Sequence, residues 1–206
     1  MILQLVPNVS FGQFTRLNPF PYILTHKCFR GYFAASNALQ HTDPSSYSTT
    51  TIALIGCGPV GLCALISALS FKPAKVFAID SVPSRLALAE SLGAEPLNFL
   101  SHPNIRQHIL DGTEGRGVDA VMEVVGNASA LRMAYEIIRP WGTISSVGVH
   151  NTDIPITGAE MYSKNVRIQF GRCPVRAVFP KALDLLKEVH SKLGYELFLV
   201  FTPVWK

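Results

Sequence analysis

The chain has 206 residues, 48% of them hydrophobic and only 16% charged, which is material for one ordinary domain with a large core and excludes global disorder. Its formal net charge of +4 comes from 18 basic and 14 acidic residues; the cations are scattered singly as on solvated faces, and a nucleic-acid surface would need them clustered. The four cysteines, Cys28, Cys57, Cys63 and Cys173, form no Cys-x-x-Cys pair, so they read as reduced, packed thiols of a cytoplasmic protein and not as a structural zinc site.

Residues 1–30 carry Pro7, Pro19 and Pro21 and show no clear period; they are left unassigned, fitting neither a signal peptide nor a membrane span. Residues 31–39 read as a short helix, and 41–50, rich in Ser and Thr with Asp43-Pro44, as a loop. From residue 51 to 71 no side chain is charged, a length that could cross a bilayer. Gly56, Gly58, Pro59 and Gly61 interrupt it, and proline inside a helix costs about 3 kcal/mol. A buried strand, a tight turn and a buried helix explain the same apolarity.

Alternation then becomes regular. Strands are predicted at 51–56, 75–80, 96–99, 118–125, 142–147 and 166–170, and helices at 60–70, 83–92, 103–111 and 128–138. In the second of these helices Leu86, Ala87, Ala89 and Leu92 recur at helical spacing before Gly93. Repeated strand–helix–strand units predict an α/β Rossmann fold, a doubly wound six-stranded parallel sheet with helices on both faces. A last amphipathic helix is predicted at 179–193, closed by Gly194 and followed by an apolar tail at 197–205.

The chemistry concentrates at Gly56-Cys57-Gly58-Pro59-Val60-Gly61, a Gly-x-Gly-x-x-Gly turn. Gly56 permits the turn out of the strand, Gly58 lets backbone approach a pyrophosphate, and Gly61 lets the helix pack closely. Pro59 suits the first helical turn, and the helix start, including Val60, offers N–H groups and a positive dipole end to phosphates. Asp80 ends the next strand, nineteen residues after Gly61, where a carboxylate accepts from both ribose hydroxyls and repels a 2′-phosphate. This favours NAD over NADP; the alternative is that Asp80, with Ser81 and Pro83, only caps the following helix.

Arg85 either reaches the ribose, pairs with Asp80, or is simply solvated. Val124, Gly148 and Val149 complete the candidate cofactor residues at the carboxyl edge, the last two where backbone would meet the nicotinamide ring. Glu123, inside an apolar strand, lines the crevice or is a structural carboxylate bonded to nearby N–H groups; the second reading is preferred. His150 is a proton-transfer candidate or an ordinary loop histidine. Cys57 sits in the turn itself, where the helix start would lower its pKa, but packing is the preferred role.

Six segments carry a family resemblance: GYFAASNAL (31–39), IGCGPVGL (55–62), VFAID (76–80), VMEVVG (121–126), SSVGVH (145–150) and FGRCPVR (170–176). Over residues 31–186 the chain resembles the cofactor half of medium-chain, zinc-dependent alcohol dehydrogenases, most closely the formaldehyde-dehydrogenase-like branch. The resemblance implies an NAD-dependent oxidoreductase that passes hydride between an alcohol and nicotinamide with a catalytic zinc. It also implies homodimers or tetramers paired through the edge strand at 166–170. The departures matter equally. The chain has no Gly-His-Glu stretch and no four-cysteine lobe, and the pattern breaks off where a third zinc ligand would stand, so neither His26 nor Cys28 is assigned as a ligand. The expected organisation is an unassigned segment at 1–30, an NAD-binding domain at 31–176, and at 177–206 a helix and tail that return incompletely toward a catalytic domain. Such a chain reads as the cofactor domain of an enzyme, as a catalytically inactive dinucleotide-binding module, or as a truncated gene product.

Overall fold

The computed structural model describes residues 20–193 apart from Pro103, with side chains described from Lys27 to Val189. Most of the N-terminal segment and the apolar tail at 197–205, with Gly194, therefore lie outside the described residues.

The order of elements is α1 (Phe20–Ala38), a 3-10 turn (Pro44–Thr49), β1 (Thr51–Ile55), α2 (Pro59–Ser70), β2 (Lys75–Asp80), α3 (Pro83–Ser91) and β3 (Glu95–Asn98). There follow α4 (Ile105–Asp111), β4 (Val118–Glu123), α5 (Ala128–Ile137), β5 (Ile138–Ser146), α6 (Gly158–Lys164), β6 (Arg167–Phe170) and α7 (Val175–Leu193). All six strands are parallel and lie in the order β3-β2-β1-β4-β5-β6. This is the Rossmann order, with the chain reversing direction across the sheet between β1 and β4.

The period of two in β1 divides its side chains between two cores. Ile52 and Leu54 join Ala34, Leu65, Val76 and Met122 on the face covered by α1, α2 and α3. Ala53 and Ile55 join Phe77, Ile109, Leu131 and Ile144 on the face covered by α4 and α5. Burial on both faces accounts for the uncharged run at 51–71, since each buried Ile or Leu contributes about 1.5–3 kcal/mol. Among the described residues no helix is long and apolar enough to cross a membrane.

Several boundaries differ from the sequence reading. The helix expected at 31–39 begins at Phe20, because its neighbour α2 supplies a packing partner that local pattern does not reveal. The loop at 41–50 contains a 3-10 turn in which the Asp43 carboxylate accepts the Ser45 N–H at 2.8 Å. The first strand stops at Ile55, since Gly56 turns with φ +94°. The fourth stops at Glu123, whose own carboxylate takes the next amides. The fifth starts early: Ile138 pairs with Val118 before a register shift, and Trp141 has φ +62°. The unpredicted α6 carries a capping box between Thr157 and Glu160. The last helix begins at Val175 and carries Pro180 inside it, a residue with no N–H to give to the helical ladder.

Candidate functional site

The carboxyl ends of β1, β2 and β4 open onto a cleft of about 580 Å³ lined by the glycine turn, Asp80, Arg85 and Val124. A doubly wound sheet binds ligands at this place, because the chain leaves β1 and β4 toward opposite faces and leaves a crevice between them.

The turn is built by its glycines. A Cβ on Gly61 would lie 1.8 Å from the Gly56 carbonyl oxygen, and one on Gly56 would lie 2.7 Å from Val125 Cγ2. Gly58 is different: it is the N-cap of α2 with φ −68°, and a Cβ there would meet nothing within 4 Å. The absence of a side chain there leaves open space over the helix start and is not a packing requirement. Pro59 occupies the first helical turn, where a missing N–H costs nothing, and the amides of Val60 and Gly61 that follow it have no intrahelical acceptor.

Asp80 is 6% exposed and joins two loops. Its Oδ2 accepts the Cys57 N–H at 2.7 Å, and its Oδ1 accepts the Ser81 and Val82 N–H groups at 2.7 and 2.9 Å. The N-cap of α3 is Val82, without a side-chain bond, so Asp80 holds the entry loop and does not cap the helix. Arg85 Nη1 stands 3.7 Å from Asp80 Oδ2, with the arginine side chain half exposed; such a pair is worth about 0–1 kcal/mol. Cys57 is fully buried, and burial, reinforced by the Asp80 charge and opposed by Arg85, pushes its thiol up to about 12. The cysteine in the turn is therefore a packing residue.

Of the ten residues named from the sequence, Gly56, Gly58, Pro59, Val60, Gly61, Asp80, Arg85 and Val124 line the cleft. Gly148 and Val149 stand beside it. A Cβ on Gly148 would lie 2.2 Å from the Gly126 nitrogen, and Gly126 itself has φ +85°. The turns that follow β4 and β5 thus touch backbone to backbone, and Val149 is exposed.

Glu123 organises that contact. It is completely buried; Oε1 accepts the Val125 and Gly126 amides at 2.8 and 2.7 Å, and Oε2 accepts the Ser146 hydroxyl at 2.5 Å. His150 Nε2 lies 3.0 Å from Glu123 Oε2 and 2.9 Å from Ser146 Oγ, with its ring edge-on to Phe170 at 5.6 Å. With a proton on Nε2, His150 would donate toward Glu123, since a carboxylate only accepts. Glu123 is the structural carboxylate of the two alternatives, and His150 is held as its partner. Two bonds from α1 brace the same region: Asn37 Nδ2 to Ser145 Oγ at 3.0 Å and Arg30 Nη2 to the Val147 carbonyl at 3.2 Å.

Phe99, Asn127 and Met133 also line the cleft and were not named from the sequence. Asn127 had a signal, since it precedes an apolar helix and caps α5 by accepting the Ala130 N–H at 2.7 Å. Phe99 and Met133 had none, because their place depends on how α5 and the turn after β3 fold over the strand ends. Among the described residues no three His, Cys, Asp or Glu side chains come together to hold a metal ion. Cys28 faces Cys63, and the side chain of His26 lies outside the described residues.

The comparisons with known proteins agree with this architecture. Residues 59–188 match the zinc-binding dehydrogenase family. The chain is 59% identical over 166 residues to zinc-type alcohol dehydrogenase B of Aspergillus flavus, covering 80% of this chain and 39% of that protein. It is 51% identical over 133 residues to the medium chain reductase/dehydrogenase ucsI of an Acremonium species, covering 64% and 46%. Among solved structures, the alcohol dehydrogenase TADH from Thermus sp. ATN1 superposes with a TM-score of 0.70 at 33% identity, covering 80% of this chain and 47% of that one. The chain spans less than half the length of each of these relatives.

Proposed function

The chain belongs to the zinc-binding dehydrogenase family, and from that premise we propose that its cleft holds NAD(H) as the cofactor domain of an NAD-dependent alcohol dehydrogenase of the formaldehyde-dehydrogenase-like branch. The observation that carries the reading is the meeting of Asp80 with the Gly56–Gly61 turn on one cleft. The residues present fit a dinucleotide. Gly58 leaves room above the start of α2, so the pyrophosphate would meet the first-turn amides and the positive end of the helix. Asp80 spends two of its lone-pair sites on Oδ1 and one on Oδ2, and the free Oδ2 site would accept from a ribose hydroxyl. Its charge disfavours a 2′-phosphate there. When bound, the nicotinamide ring supplies a hydride acceptor. Glu123, through the amides of Val125 and Gly126, holds the β4 turn in place beside Gly148 and Val149.

Binding of NADH and NADPH measured by calorimetry tests this reading. The expected result is NADH affinity tighter than millimolar and tighter than for NADPH; millimolar or weaker binding of NADH overturns it.

A second reading has its own support: among the described residues no three His, Cys, Asp or Glu side chains come together to hold the family's zinc. On this reading the chain is a catalytically inactive dinucleotide-binding module. Incubation with NAD, added zinc and simple alcohols or formaldehyde adducts separates the two, and NADH formation would remove the inactive reading.

The proposed units are a dinucleotide-binding domain at 31–176, with α1 entering it from Phe20, and a return segment at 177–206. The proposed assembly is a homodimer through β6, which stands at the sheet edge with Arg167 and Gln169 exposed; light scattering at micromolar concentration checks it. The four free cysteines support a reducing, cytoplasmic setting.

A further inference from the structure

We infer that Cys28 and Cys63 form a thiol-oxidation site, a pair arranged to close into a reversible disulfide when the chain meets a hydroperoxide. The two sulfurs lie 3.5 Å apart, and both cysteines are free. Cys28 on α1 is partly exposed, whereas Cys63 on α2 is buried. Gly31 follows Cys28 by one helical turn on the same face. A Cβ at Gly31 would lie 2.6 Å from Cys63 Cβ and 2.6 Å from the Ala64 nitrogen. The helices therefore cross at a glycine contact with their backbones close, as a disulfide requires, since its Cβ atoms must come within about 3.5–4.5 Å.

The pair is also polarised. A hydrogen bond between the two sulfurs, in which either can donate, lowers the Cys28 thiol; burial opposes this and Lys27 assists it. The same bond and burial raise the Cys63 thiol. Cys28, reachable from solvent and the more readily ionised, is the attacking sulfur. Its thiolate attacks a peroxide oxygen, forming an S–O bond as the O–O bond breaks; the departing hydroxide or alkoxide takes up the Cys28 proton. Cys63 sulfur then attacks the sulfenic Cys28 sulfur. The S–S bond forms, the S–O bond breaks, and hydroxide leaves with the Cys63 proton as water. Two thiols are oxidised and one peroxide is reduced; a dithiol reverses the change.

The other two thiols have different neighbours. Cys57 Sγ faces the Ile79 carbonyl at 3.9 Å, and Cys173 Sγ faces the Phe29 carbonyl at 3.4 Å. Neither Cys28 nor Cys63 lines the cleft, so the site stands independently of the cofactor reading.

The test treats the full chain with hydrogen peroxide in small excess, blocks remaining thiols with iodoacetamide, digests with trypsin and maps the products by mass spectrometry. Peptide 28–30 should be joined to peptide 31–75 with loss of two hydrogens. Fragmentation should place the link on Cys63 and not on Cys57, which shares that peptide. Dithiothreitol should undo it, and the oxidised chain should melt several degrees higher, because the bridge constrains the unfolded chain. Cys28→Ser and Cys63→Ser should each abolish the link and the shift, while Cys57→Ser keeps both. A Cys28 that proceeds to sulfinic acid without a link, a link to another cysteine, or thiols that survive peroxide unchanged would overturn the inference; mapping the unsubstituted chain decides this even if a variant fails to fold.

Discussion

Asp80 Oδ2 accepts the Cys57 amide at 2.7 Å, so the carboxylate that ends β2 is tied to the glycine turn that ends β1. The bond joins neighbouring strands across their carboxyl ends and fixes Asp80 on the wall of the cleft. One side chain thus serves local order and, on the proposed function, cofactor choice.

Replacing Asp80 separates those two duties. Asp80→Asn keeps an acceptor for backbone amides, whereas Asp80→Ala keeps none. A hydrogen bond to a charged group is worth about 1.5–3 kcal/mol, so Asp80→Ala should weaken NADH binding roughly 10- to 100-fold and narrow its preference over NADPH. Calorimetry with both nucleotides checks this, and an unchanged ratio would count against the ribose role.

Gly58 and Gly61 should respond oppositely to alanine. The Gly61 site has no room, with the Gly56 carbonyl 1.8 Å from the added Cβ. Gly61→Ala should therefore destabilise the fold by about 1–3 kcal/mol or more, as overpacking does. At Gly58 the new methyl enters open space at an ordinary φ of −68°. Gly58→Ala should leave the melting temperature nearly unchanged while lowering NADH affinity. Thermal melts run beside binding titrations distinguish the two sites.

Glu123 should matter through stability first. Glu123→Ala takes the acceptor from the part-buried Val125 and Gly126 amides and strands the buried Ser146 hydroxyl. Leaving a buried donor without its acceptor costs about 1–3 kcal/mol. Urea denaturation should show a lower midpoint with an unchanged slope; a loss below about 1 kcal/mol would contradict the bracing role.

Acid should act through Asp119 at the opposite end of the sheet. Burial pushes its carboxyl up, but the Thr51 amide at 2.7 Å, Arg139 at 2.6 Å and Arg116 at 2.7 Å outweigh burial and hold it below the usual carboxylate range. A depressed folded pKa stabilises the fold above the unfolded value, and that stability is lost as pH falls through the folded one. Asp119→Asn should therefore be less stable than the unsubstituted chain at neutral pH, and the difference should shrink below about pH 4. Denaturation midpoints measured across that range test the sign.

Local pattern made much of this protein legible. The glycine turn, the strand before it and Asp80 after it need only short-range chemistry, and eight of the ten residues named for the site line one cleft. Boundaries were less legible where long-range partners decide them. The extent of α1 depends on α2, and the early start of β5 depends on its pairing with Val118. The capping box of α6, Thr157-x-x-Glu160, was present in the sequence but obscured by the polar, proline-containing stretch around it.

The sequence by itself determined the α/β class, the place of the glycine turn and the reason that the run at 51–71 is apolar, because period, glycine spacing and strand-end carboxylates act over a few residues. Only the tertiary structure decided which distant side chains meet. Glu123 with Ser146 and His150, Asn37 with Ser145, and Cys28 with Cys63 are separated by 23 and 27, 108 and 35 residues respectively. They are brought together by strand order and helix crossing, which no local pattern encodes.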